Sequence, residues 1–116
     1  MSEPLTLAQD PCMTTRRLQM LEQLTASGSR DPFAWYGLAL EYRSLGRAED
    51  ALATFEALRQ LDATYLAAYL MAGQLLVELG RSEAAREWLS AGVTLARQRG
   101  DVKTLSELEA ELEALS

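Results

Sequence analysis

The sequence repeats itself at a spacing of 34 residues. Leu45-Gly46-Arg47-Ala48-Glu49 returns as Leu79-Gly80-Arg81-Ser82-Glu83, and the same offset carries Ala34 onto Ala68, Ala51 onto Ala85, Ala57 onto Ala91 and Leu61 onto Leu95. A period of this length means that each copy is one supersecondary unit. Such a unit cannot cover its apolar face alone and stacks on its neighbours. Chains built this way hold partners and seldom perform chemistry.

The helix-forming residues alanine, leucine and glutamate dominate the composition, and the breakers divide the chain into six helices. Residues 1–12 hold Pro4 and Pro11 without apolar periodicity and read as a flexible tail. A helix over 13–27 follows, with Thr14 or Thr15 as its cap and Leu18, Leu21 and Leu24 as its apolar stripe. Asp31-Pro32 opens the next helix as N-cap and first turn, and Gly46 stops it. Another helix runs from Ala48 to Leu61 or Asp62. The next starts at Thr64 or Tyr65 and closes at Gly80. Ser82 caps a fifth helix that ends near Gly100, and Asp101 caps a sixth. Short turns make neighbours antiparallel. No segment alternates with period two, so no sheet is expected. At 116 residues the chain is one domain.

Trp35, Leu38, Tyr42, Ala51 and Phe55 stand at the spacing Trp, two spacers, Leu, three spacers, Tyr, then Ala, three spacers, Phe. This resembles the tetratricopeptide repeat, with Ala39 in place of its glycine and Ala63 in place of its proline. The first copy covers 32–65. The second covers 66–99, where Tyr69 replaces the tryptophan, Ala72 the leucine, Leu76 the tyrosine and Leu89 the phenylalanine. Gly73 and Ala85 match, and Arg97 occupies the proline position. Small residues at 39, 73, 51 and 85 let helices approach, and the aromatic and leucine positions fill the gaps between them. The resemblance implies an all-α fold: a right-handed superhelical array of antiparallel helix pairs. Residues 13–27 would act as the second helix of a preceding repeat and residues 101–116 as a capping helix. That last helix carries Val102, Leu105, Leu108, Leu112 and Leu115 on one stripe.

In tetratricopeptide arrays the first helix of each repeat lines a concave groove. Position by position, the resemblance implies a protein-binding groove of Phe33, Tyr36, Leu40 and Arg43 from the first copy and Leu70, Gln74 and Val77 from the second. Ser44, Ala67 and Glu78 fall on the same face. Arg59 and Arg86 fall on the outer helices, away from it. The family's chaperone-binding branch grips a peptide carboxylate with lysine and asparagine. This groove has neither, and the whole chain has no asparagine. The lining suits an apolar peptide or an amphipathic helix. The expected function is that of an adaptor for another protein. The alternatives are a homodimer or larger scaffold formed through the groove or an array end, and a groove covered by the chain's own N-terminal helix.

Composition argues against other classes. Net charge is −6 and only Lys103 is lysine, which is a poor match for nucleic acid. The acidic final helix could serve as a docking surface. No apolar run approaches a membrane span, and no signal-peptide pattern opens the chain, so a cytoplasmic location is expected. Arginine-rich, lysine-poor usage hints at a bacterial source. The chain has no histidine, one cysteine (Cys12) and seven glycines spread singly. Catalysis, a metal site and a bound cofactor are therefore not expected. Glu107, Glu109, Glu111 and Glu113 lie two residues apart on a helix and point in diverging directions.

Overall fold

Gly46 and Gly80, one period apart, end their helices in the same way. Both take φ +76°, in the left-handed region open to glycine. The Gly46 and Arg47 N–H groups donate to the Arg43 and Tyr42 carbonyls, and those of Gly80 and Arg81 donate to Val77 and Leu76. Both are Schellman caps, which satisfy the last carbonyls of a helix. The computed structural model describes residues 5–115. It holds α1 Leu5–Ala26, α2 Pro32–Ser44, α3 Ala48–Leu61, α4 Leu66–Glu78, α5 Ser82–Arg99 and α6 Val102–Ala114. There is no strand among the described residues.

Helix starts follow the sequence in part. Asp31 accepts from the Phe33 N–H at 3.1 Å, and Asp101 accepts from that of Thr104 at 3.0 Å. Ser82, expected as the N-cap of α5, is instead its first helical residue. Arg81 is the N-cap and makes no side-chain cap bond. The reason is the Schellman turn, which ends with Arg81, so the residue that completes the cap of α4 is also the N-cap of α5. α1 begins at Leu5, so residues 5–12 are helical where a tail was expected. Leu5, Leu7, Ala8 and Gln9 all favour helix. Thr14 and Thr15 lie within α1 rather than at its cap. Residues 1–4 and 116, and the side chains of 5–15 with Cys12 among them, lie outside the described residues.

The chain forms two units, residues 1–54 and 55–116. In unit 1, α1 packs on α2. Leu18 is buried and Leu21 half-buried, but Leu24 is 45% exposed and Thr25 takes the inward place. A step of three residues turns the helix by −60°, so Leu24 has rotated well away from Leu18. Thr25, seven residues on, returns to the same face. Its hydroxyl donates to the Leu21 carbonyl at 3.0 Å, which lets it be buried. Leu38, Ala39 and Ala51 are buried as the repeat pattern requires. The Tyr42 hydroxyl donates to Glu22 at 2.5 Å across the two helices, and that bond raises its pKa to about 12.

In unit 2, α4 packs on α5, and α6 packs on both. Phe55, Leu58, Leu89 and Leu108 are fully buried. A Cβ at Gly73 would lie 2.7 Å from Leu89 Cγ, so glycine sets how closely α4 meets α5. Gly92 does the same on α5, where a Cβ would come within 2.9 Å of Tyr69 Cβ. Val102 is 74% exposed, so the expected stripe of α6 starts at Leu105. Val102 is the first residue of that helix, before the stripe reaches its neighbours. The aromatic at the tryptophan position of each copy makes the same bond. Trp35 Nε1 donates to the Ser29 carbonyl at 2.9 Å, and the Tyr69 hydroxyl donates to that of Ala63 at 2.7 Å. Both donors and both acceptors are 34 residues apart, so tyrosine replaces tryptophan with its polar end kept.

Arg59 of α3 is tied to α4 and α5 within unit 2. Its guanidinium lies 5.0 Å from the Tyr69 ring and 4.6 Å from the Trp88 ring, and it bonds both carboxylate oxygens of Glu87 at 2.9 Å. The bond from Arg59 holds the Glu87 carboxyl below its ordinary pKa. A depressed folded-state pKa gives stability that is present above the unfolded value, about 4.3, and lost as pH falls through the folded one. With Glu87 largely exposed, the pair contributes about 0.2–1 kcal/mol. Glu87→Gln should therefore lower the melting temperature slightly at pH 7. The difference from wild type should shrink as pH falls below about 4.3 and vanish once Glu87 is protonated in the folded protein. A difference that persists there in thermal scans would mean that packing, not charge, sets the effect.

Candidate protein-interaction site

α1 and α2 of unit 1 enclose an open concavity of about 680 Å³. Its apolar lining is Met20, Leu21 and Leu24 from α1 and Phe33, Ala34, Gly37 and Leu40 from α2. Phe33 is 68% exposed and Met20 56%. Gly37 lowers the floor, for the nearest atom to a Cβ placed there is Leu21 Cδ2 at 3.6 Å. Arg17, Asp31, Glu41 and Ser44 supply the polar part of the lining. Glu41 is 8% exposed. Its carboxylate lies 3.6 Å from the guanidinium of Arg17, whose side chain is 69% exposed. That distance exceeds a good charge-assisted hydrogen bond.

Of the seven residues expected to line a groove, Phe33 and Leu40 share this concavity. Tyr36 and Arg43 are half-buried on the same helix. In unit 2, Leu70 is buried and lines a smaller concavity of about 440 Å³ with Ala67, Arg99, Asp101, Thr104 and Glu107. Arg99 closes one side by donating to the Thr64 carbonyl. Gln74 donates to Glu111 of α6 at 3.2 Å, and Val77 is half-buried.

The sequence reading missed Glu41, Met20 and Trp88. Glu41 was legible in part: Phe33, Gly37, Leu40, Glu41 and Ser44 fall at i, i+4, i+7, i+8 and i+11, a single helical face. Its burial depends on α1 and could not be read from that spacing. Among the described residues there is no group of three or more His, Cys, Asp or Glu placed to hold a metal ion, and no helix long and apolar enough to cross a membrane.

A tetratricopeptide repeat family model matches residues 42–108. A tetratricopeptide repeat domain protein from Salinibacter ruber is 36% identical, covering 73% of this chain and 96% of that one, with a TM-score of 0.69. A Bordetella parapertussis protein is 28% identical over 84% of this chain and 85% of that one, with a TM-score of 0.73. The Yersinia enterocolitica type III secretion chaperone SycD, in complex with a peptide of the translocator YopD, is 18% identical. It covers 95% of this chain and 87% of that one, with a TM-score of 0.78, a likeness of fold. No curated protein matches the sequence.

Proposed function

This chain belongs to the tetratricopeptide repeat family, and on that premise we propose that it is an adaptor holding an apolar peptide or amphipathic helix of another protein. The reading is carried by the open apolar concavity of unit 1, where Phe33 projects 68% exposed beside Leu40. Large apolar side chains left open together mark interaction surfaces. The complex of SycD with a translocator peptide supports a peptide-holding use of this fold. The proposed contact residues are Phe33, Tyr36, Leu40 and Arg43 on α2. Leu70, Gln74 and Val77 on α4 belong to the same proposal, with Leu70 and Gln74 also committed to contacts inside unit 2.

The test uses the full chain as bait, identifies what it retains, and then measures binding to that protein. Aromatic anchors carry much of such interfaces, at about 2 kcal/mol or more each when truncated. Phe33→Ala with Tyr36→Ala should weaken binding at least about tenfold, or 1.4 kcal/mol, with helicity by circular dichroism kept. Arg86→Ala, at an exposed position of α5, is the control. Loss with Arg86→Ala alone would move the site off α2 and defeat the assignment. The exposed Met20, Leu24 and Phe33 also favour a second reading, self-association through this face. Light scattering separates the two, because a concentration-dependent dimer dispersed by Phe33→Ala supports the scaffold and a monomer supports the adaptor.

A further inference from the structure

Unit 2 contains a filled version of what unit 1 leaves open. There, α4 lies against both α5 and α6. Leu89 of α5 packs over Gly73, the Trp88 ring meets Tyr69 at 5.6 Å, and Gly92 lies under Tyr69. Ala85, Trp88, Leu89 and Gly92 form one buried stripe. On α6, the Glu111 carboxylate accepts a hydrogen bond from the Gln74 side chain of α4. Two periods earlier, 68 residues, that α5 stripe reads Arg17, Met20, Leu21 and Leu24 of α1. Helices α2 and α6 each have 13 residues, with both bounds 70 apart, so Glu41 stands where Glu111 stands. All five of these unit 1 residues line the open concavity.

We infer that the α1/α2 concavity is the seat of one helix from a partner protein, docked as α4 docks on α5 and α6, with a hydrogen-bond-donating side chain opposite Glu41. The inference rests on the adaptor reading and deepens it by naming the occupant's chemistry. Two stripes at i, i+3, i+4 and i+7 make the ridges and grooves that receive a third helix. Leu21 would meet a small side chain, as Leu89 meets Gly73, and Leu24, which stands where Gly92 makes room for Tyr69, requires a small residue in place of that ring. Glu41 decides the rest. A carboxylate covered this far requires donors, and Arg17 at 3.6 Å is mostly in solvent. Arg17, Asp31 and Glu41 together leave the lining at a net −1, which favours Gln, Arg or Lys over an acidic residue at the facing position.

The probe is a labelled peptide of this chain's own residues 65–79 carrying Tyr69→Ala, which clears Leu24, made soluble by a lysine pair at each end, in a Gln74 and a Gln74→Leu form. Fluorescence anisotropy measures its binding to the full-length protein. The Gln74 peptide should bind, and Leu24→Glu, at a position already 45% exposed, should weaken it at least about tenfold. The Gln74→Leu peptide should bind wild type about fivefold or more weaker, and Glu41→Leu should erase that preference. Circular dichroism confirms that each variant is folded. No binding, binding indifferent to Leu24→Glu, or a residue-74 preference that survives Glu41→Leu overturns the inference. So does a homodimer dispersed by Leu24→Glu, which would make the occupant a second copy. If the peptide fails while a captured partner still depends on Phe33 and Tyr36, the adaptor reading stands and only the helix seat is lost.

Discussion

Gly73→Ala should destabilise the protein, while Gly37→Ala should stabilise it, although both glycines lie inside helices. Replacing an interior helical glycine by alanine ordinarily gains about 0.5–1 kcal/mol. At Gly37 nothing opposes that gain, since the nearest atom to the new Cβ is 3.6 Å away. At Gly73 the new Cβ would stand 2.7 Å from Leu89 Cγ. Leu89 is fully buried and has no room to withdraw. Forcing α4 and α5 apart should cost about 1–3 kcal/mol, more than the helix gain. The melting temperature should fall by roughly 4 °C per kcal/mol lost. Scanning calorimetry on the two variants checks the sign, and a rise in both would show that the close approach of α4 to α5 is not enforced by Gly73.

Loss of α6 should be more damaging. Leu108 is fully buried, and its methyls would come within about 3.0–3.2 Å of a Cβ at Gly92. Leu108→Ala should cost about 2–5 kcal/mol through lost burial and the cavity left behind. Against a typical stability of about 5–15 kcal/mol, that is a large share. Deleting residues 101–116 removes the whole cover. It would open Gly92, Val93 and Leu70 to solvent and free Gln74 from Glu111. The truncated protein should melt far lower or aggregate, as exposed apolar patches promote association. A truncated chain that stays monomeric with an unchanged melting curve would make α6 a detachable arm instead of a cover. Arg97 to Glu109, an exposed pair at 3.0 Å, adds little to this attachment.

Much of the architecture was legible because it depends on local chemistry repeated at a fixed interval. Gly46 and Gly80 take positive φ and end their helices, and Asp31 and Asp101 cap the helices that follow them. Ala39, Ala51, Gly73 and Ala85 are buried where the repeat needs small residues. The site was less legible. Phe33 and Leu40 share a concavity with each other, but also with Met20, Leu21 and Leu24 from a helix read only as a packing neighbour.

The 34-residue period together with the helix breakers and caps determined the number of helices, most of their ends and the positions that must be small, since each rests on bonds and rotations within a few residues. Tertiary structure decided the rest, because burial and pairing are set by residues distant in the chain. Arg59, a charged residue of α3, lies against the Tyr69 and Trp88 rings, which also meet each other, once α3, α4 and α5 bring those three groups together. Two glutamates at matching helix positions received different fates: Glu111 meets Gln74 from α4, while Glu41 faces an open concavity with Arg17 at its rim. No spacing within α2 or α6 distinguishes them, since the difference lies in the helix that one has beside it and the other lacks within its own unit.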